Sequence, residues 1–102
     1  MRAHSNIRRF RLSEAFIEPY KTREVPWGPL GYVTFKRTYA RRLSEFEPDA
    51  TGTEEWWQTC RRVIDAMFDM QKQHVYHLGL EWNDSKAQAT AKDAYDRLFN
   101  LK

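Results

Sequence analysis

The sequence has a single cysteine, Cys60, in 102 residues, so no disulfide can close within the chain and no cysteine-built metal site can be assembled from it. No apolar run approaches the roughly 18 residues that suggest a membrane-spanning helix, and the arginine-rich start lacks the apolar core of a signal peptide. A cytoplasmic chain with no membrane contact is the expectation. There is no glycine-rich phosphate loop, no nucleophile beside a positioned base, no internal repeat and no low-complexity tract. Glycine and proline are scarce, four of each, and half of each set falls between Pro26 and Gly31. Cations outnumber anions by only 17 to 14, and a net charge of +3 does not define a nucleic-acid binder.

What is present is aromatic. Four Trp, five Tyr and six Phe within a 41% hydrophobic composition argue for one ordered domain with one modest core. Residues 1–11 carry Arg2, Arg8, Arg9 and Arg11 with few apolar points and read as a flexible basic arm, with the folded domain over 12–102. Ser13 is placed to cap a short helix through Ile17, which Pro19 limits. Val25 to Gly31 is turn chemistry, with Trp27 as its anchor in the core. Tyr32 to Tyr39 alternates in a way that favours one short extended segment, although Leu30, Val33, Arg37 and Ala40 also keep helical spacing. Thr51 or Thr53 can cap the next helix. In that helix Trp56, Cys60, Val63, Met67 and Met70 form one apolar stripe and Trp57, Ile64, Phe68 and Val75 a second, with Arg61, Arg62, Asp65, Asp69 and Lys72 opposite. It should end between Tyr76 and Gly79. Asn83, Asp84 or Ser85 caps a last helix with Ala87, Ala91, Ala94, Tyr95 and Leu98 on one side. The fold expected is mainly α, a small domain of about three helices, with Trp27, Trp56, Val63, Met67, Tyr95 and Leu98 as core anchors.

Candidate chemistry is sparse. Lys36, Arg37 and Arg41, with Arg42, are interleaved with Tyr32, Phe35 and Tyr39, a pattern that can fork onto phosphate or stack a base. The same cations can equally be solvated or meet acidic groups of an adjoining polypeptide. His74 and His77 stand three apart, but two ligands without a third make a poor metal site. Cys60 lies on the apolar stripe as a small hydrophobe. No catalytic, cofactor-binding or metal-ligating residue is assigned.

Trp27-Gly28-x-Leu30-Gly31, followed by Tyr32-Val33-Thr34-Phe35-Lys36-Arg37-Thr38-Tyr39-Ala40-Arg41, resembles the N-terminal region of the adenosylcobalamin-dependent (class II) ribonucleoside-triphosphate reductases. The resemblance extends back to Leu12-Ser13-Glu14-Ala15-Phe16-Ile17 and forward through Glu55-Trp56 and Arg61-Arg62-Val63-Ile64-Asp65 to Tyr95-Asp96-Arg97-Leu98-Phe99. It implies the N-terminal helical part of a larger α/β-barrel reductase, which reduces ribonucleoside triphosphates for DNA synthesis. In the whole enzyme, adenosylcobalamin generates a thiyl radical inside the barrel and a thioredoxin system restores a cysteine pair. None of those cysteines is in this sequence, so the isolated chain is expected to be inactive, to bind no cofactor alone, and to have the remaining barrel portion as its partner. A split enzyme, with or without an intein at the split, or a truncated reading frame would produce such a piece. The alternatives are a small basic helical module binding nucleic acid or an acidic partner through Lys36 to Arg42, and a helical interaction protein docking through its apolar C-terminus.

Overall fold

The computed structural model describes residues 8–101, so most of the expected basic arm lies outside the described residues. Four α-helices follow one another: α1 Glu14–Ile17, α2 Gly28–Thr38, α3 Trp56–His77 and α4 Asp84–Phe99, with short 3-10 turns at Glu18–Thr22 and Leu43–Glu45. The long helices α3 and α4 form an antiparallel hairpin. The Trp56 indole N–H at the start of α3 donates to the Phe99 carbonyl at the end of α4 (2.9 Å), and the Tyr95 hydroxyl donates to the Trp57 carbonyl (2.9 Å).

Local chemistry sets the ends of these helices. Glu55 and Gln58 form a capping box at the head of α3, each side chain accepting the other residue's backbone N–H. That residue pair, and not Thr51 or Thr53, starts the helix. At its other end Gly79 takes φ 76°, and the Leu80 and Gly79 amides donate to the Val75 and Tyr76 carbonyls, which closes α3 where the sequence predicts. Asn83 caps α4 by accepting the Lys86 amide at 3.1 Å. Ser13 precedes α1, but its side chain makes no cap bond.

The core is a layer of buried side chains between the hairpin and the N-terminal segment. Ala87, Ala91, Tyr95 and Phe99 recur every four residues along α4, and the two alanines let α3 and the N-terminal segment come close. Tyr20 stands edge-on to Tyr95 (centroids 4.8 Å) and to Phe99 (5.0 Å), and Phe16 edge-on to Tyr95 (5.6 Å). A smaller aromatic cluster, Trp27, Phe35 and Trp56, ties α2 to the head of α3.

Three expectations are corrected. First, Tyr32 to Thr38 is helical, and among the described residues there is no strand, only an isolated antiparallel bridge between Arg42 and Thr53. Tyr32 and Lys36 both reach the Glu55 carboxylate, at 2.7 and 3.2 Å. In a strand they would stand roughly 13 Å apart; one helical turn brings them together. Val33 and Thr34 lie exposed on the outer side. The smaller helix propensity of such β-branched residues, a few tenths of a kcal/mol each, is overridden by the burial of Phe35.

Second, α3 buries Cys60, Ile64 and Phe68 as expected, but its buried sector is shifted away from the methionines and toward the charged side. Met67 and Met70 are 49% and 72% exposed, whereas Arg61 and Lys72 are buried. The cause is the chain from Phe10 to Ser13, which lies against both helices of the hairpin. Its Phe10 and Leu12 amides donate to Asp69 and Asp65 of α3 (2.9 Å each), its Ser13 amide to Gln88 of α4 (3.2 Å), and the Gln88 side-chain amide returns a bond to the Arg11 carbonyl (2.6 Å). Arg61 completes the clasp, donating to the Leu12 carbonyl at 3.0 Å and pairing with Glu14 and Asp65. Phe10, near the end of the expected arm, and Leu12, where the expected domain begins, are each 2% exposed, so the arm's end at Phe10 is part of the core. Third, Met67 is not an anchor, whereas Tyr95 is fully buried, Trp56 and Leu98 pack against the core and Trp27 packs on Trp56 and Phe35. Trp27, Trp56, Val63 and Leu98 are half-buried, and Met67 is outside.

Candidate functional site

The cation and aromatic run of α2 is the sequence's best candidate for chemistry, and the helix divides it. Lys36 faces inward. Its ammonium donates to the Thr53 carbonyl (2.8 Å), the Glu54 carbonyl (2.9 Å) and the Glu55 carboxylate (3.2 Å). All three ammonium donors thus have partners within the chain. The Tyr32 hydroxyl donates to Glu55 at 2.7 Å, and that carboxylate, with burial, raises its pKa above the usual tyrosine value. Phe35 is buried, whereas Arg37, Tyr39, Arg41 and Arg42 are exposed. The interleaved clamp therefore does not exist as one surface: Lys36 is a structural tie, and only the arginines face solvent with Tyr39.

Sequence reasoning missed a buried carboxylate at the heart of this region. Glu54, 2% exposed, accepts the Arg41 amide (3.1 Å), the Thr59 hydroxyl (2.9 Å) and two guanidinium N–H groups of Arg62 (2.8 and 3.0 Å). Burial alone would push its pKa up; Arg62, the Arg41 amide and Thr59 outweigh it and hold the carboxyl below the usual glutamate value. The acidic pair Glu54-Glu55 is visible in the sequence, but which member caps the helix and which is buried is set by the bridge that brings the Glu54 amide to the Arg41 carbonyl at 2.8 Å.

Two grooves flank this knot. One, of about 640 Å³, runs between the 43–50 loop, α3 and the N-terminal segment; Arg9, Arg11, Arg61 and Arg62 line it together with Glu47, Glu54, Asp65 and Asp69, and Arg61 and Arg62 pair with Asp65 and Glu54, a mixed lining and no anion trap. The other, of about 440 Å³, lies between Tyr20, Arg23, the start of α2 and Trp56. Lys21 and Arg23 at its edge already lie over the Trp57 and Tyr20 rings. Cys60 is fully buried, and burial pushes its thiol up to about 12, so it is not a nucleophile at neutral pH. His74 and His77 are exposed near the end of α3, and among the described residues no three His, Cys, Asp or Glu side chains gather as a metal site. Among the same residues no helix is long and apolar enough to cross a membrane. The arrangement is that of a helical packing module, with its polar groups spent on holding its own segments together.

Comparison with known proteins places the module. The ribonucleotide reductase alpha domain family matches residues 12–102, and the chain belongs to that family. It is 36% identical over 98 residues to a probable adenosylcobalamin-dependent ribonucleoside-triphosphate reductase of Dictyostelium discoideum, covering 94% of this chain and 12% of that protein. It is 35% identical over 97 residues to the adenosylcobalamin-dependent ribonucleoside-triphosphate reductase of Euglena gracilis, covering 92% of this chain and 13% of that protein. The reductase of Lacticaseibacillus paracasei is 47% identical over 60 residues, 58% of this chain and 8% of that protein. The match falls in the N-terminal region of these relatives, and the chain spans about an eighth of the length of the first two. No solved structure matches.

Proposed function

We propose that this chain is the N-terminal helical portion of an adenosylcobalamin-dependent ribonucleoside-triphosphate reductase, a packing element of that enzyme and not a catalyst alone. The observation that carries the reading is 36% identity along 94% of the chain to a reductase of which it spans only 12%. The residues agree with it. One cysteine cannot furnish both a thiyl radical and a reducing cysteine pair, and Cys60 is inaccessible. Grooves of 640 and 440 Å³ lie in the size range that holds drug-sized ligands, roughly 300–1,000 Å³, and adenosylcobalamin is much larger. Neither groove would enclose the cofactor, which supports assigning its chemistry to the remainder of the enzyme. Arg37 and Arg41 are then exposed cations available to the adjoining polypeptide or to substrate phosphates near it. The thioredoxin-type reductant and a cytoplasmic location follow from the same reading.

The test is co-expression of this chain with the remaining portion of the reductase, followed by an assay of adenosylcobalamin-dependent reduction of a ribonucleoside triphosphate. Activity in the mixture and in neither part alone is expected. An independently folded chain that neither associates nor restores activity would sink the reading.

A further inference from the structure

Helix α3 buries Cys60, Ile64 and Phe68 in the core and still leaves a second, uncharged stripe outside it. Its charged side, Arg61, Asp65, Asp69 and Lys72, is buried or half-buried, three of these four clasping the N-terminal segment. Beside the buried Cys60 and Ile64, one uncharged sector of the helix faces out. Successive turns present Val63, Met67, Met70 and His74, and the sector they occupy contains no Asp, Glu, Lys or Arg along the whole helix. Met67 and Met70 are 49% and 72% exposed. Two largely exposed methionines in an uncharged sector beside an already filled core side mark a contact surface, and methionine adapts well to a facing apolar partner. The outer side of α2 is a weaker candidate, because Arg37 and Thr34 interrupt Leu30 and Val33.

We infer that the Val63, Met67 and Met70 stripe of α3 is the seam on which the rest of the reductase polypeptide docks. The inference rests on the function proposed above, and the occupant is chosen because most of each relative's length, all but 12% in the Dictyostelium protein, lies outside the matched stretch. An apolar, uncharged seam predicts association that salt leaves nearly unchanged, unlike a charged contact.

The experiment uses this chain co-expressed with the remaining portion of the reductase, comparing the unchanged chain, the double variant Met67→Glu/Met70→Glu, and Ala89→Glu on the exposed side of α4. Binding is read by titration. Peroxide oxidation of Met67 and Met70 is read by mass spectrometry, free and bound. Far-UV circular dichroism establishes that each variant keeps its helices. The inference expects the double variant to bind at least about tenfold more weakly, Ala89→Glu to bind as the unchanged chain does, and both methionines of the unchanged chain to oxidise several-fold more slowly when bound. Tight binding by the double variant, with methionines that oxidise at the free rate, would overturn the seam and leave the proposed function standing. No association of the unchanged chain would overturn both. Self-association of the chain that the double variant abolishes would assign the stripe to a second copy and overturn the chosen occupant. Should the double variant lose helix, the oxidation of the unchanged chain decides alone.

Discussion

Replacing Glu54 by Gln keeps the side chain's shape and removes its charge, which isolates what the ionised carboxylate contributes. Glu54 takes four hydrogen bonds, two of them from Arg62 at 2.8 and 3.0 Å. Breaking a fully buried ion pair costs about 3–5 kcal/mol. Arg62 retains 27% side-chain exposure and can regain water, so a loss of about 2 kcal/mol is expected. For a domain of this size that lowers Tm by roughly 10 °C. The pH dependence carries the sharper test. The folded pKa of Glu54 lies below its unfolded value, so its contribution is fully present above the unfolded pKa of about 4.3 and is lost as pH falls through the lower folded value. Thermal melts of both proteins from pH 7 to pH 3 should show the gap constant at first and then closing at the acid end. A Tm within about 2 °C of the unchanged protein at pH 7, or a gap that does not close on acidification, would refute the assignment of Glu54 as an ionised tie.

Three further outcomes are expected. Phe10→Ala removes a ring that is 2% exposed and lies against Phe68 and Trp82, and should cost about 3–4 kcal/mol in chemical denaturation, whereas a dispensable arm would cost nothing measurable. Gly31→Ala would set a new Cβ 2.6 Å from the Trp27 Cβ, so despite the higher helix propensity of alanine it should lower Tm and alter Trp27 fluorescence; a raised Tm would show that α2 can shift away. Cys60 should react with a thiol reagent at pH 8 only as fast as the protein unfolds, and should become fully reactive in denaturant; prompt native labelling would contradict its burial.

The parts of the fold legible in the sequence are those decided within a few residues. The 3.6-residue period marks α3 and α4, the start of α4 is legible to within Asn83 to Ser85, and the end of α3 to within Tyr76 to Gly79. The family resemblance was legible too, carried by the Trp27 to Arg41 run. What failed was decided at a distance. Tyr32 to Tyr39 satisfies both a two-residue and a helical period, and the choice falls to Glu55, nineteen residues beyond Lys36, whose carboxylate binds Tyr32 and Lys36 together. Lys36 reads as a free cation because its main partners are the backbone carbonyls of Thr53 and Glu54, groups that no side-chain pattern displays.

The shifted burial of α3 follows from the same physics and bears on what the chain is for. Asp65 and Asp69 look like surface residues because the groups they serve are backbone amides of Leu12 and Phe10, and an extended segment without a strand partner needs such acceptors when it is buried. Burial pushes the Asp65 carboxyl up, against the pull of the Leu12 amide and Arg61, so this clasp is held partly at the expense of charge solvation. Here Cys60, Ile64 and Phe68 fill the core, Asp65 and Asp69 are spent on the chain's own N-terminal segment, and Met67 and Met70 are left in water. That exposed methionine pair is the surface that the docking proposed above would cover, and its behaviour in the bound chain tests the proposal.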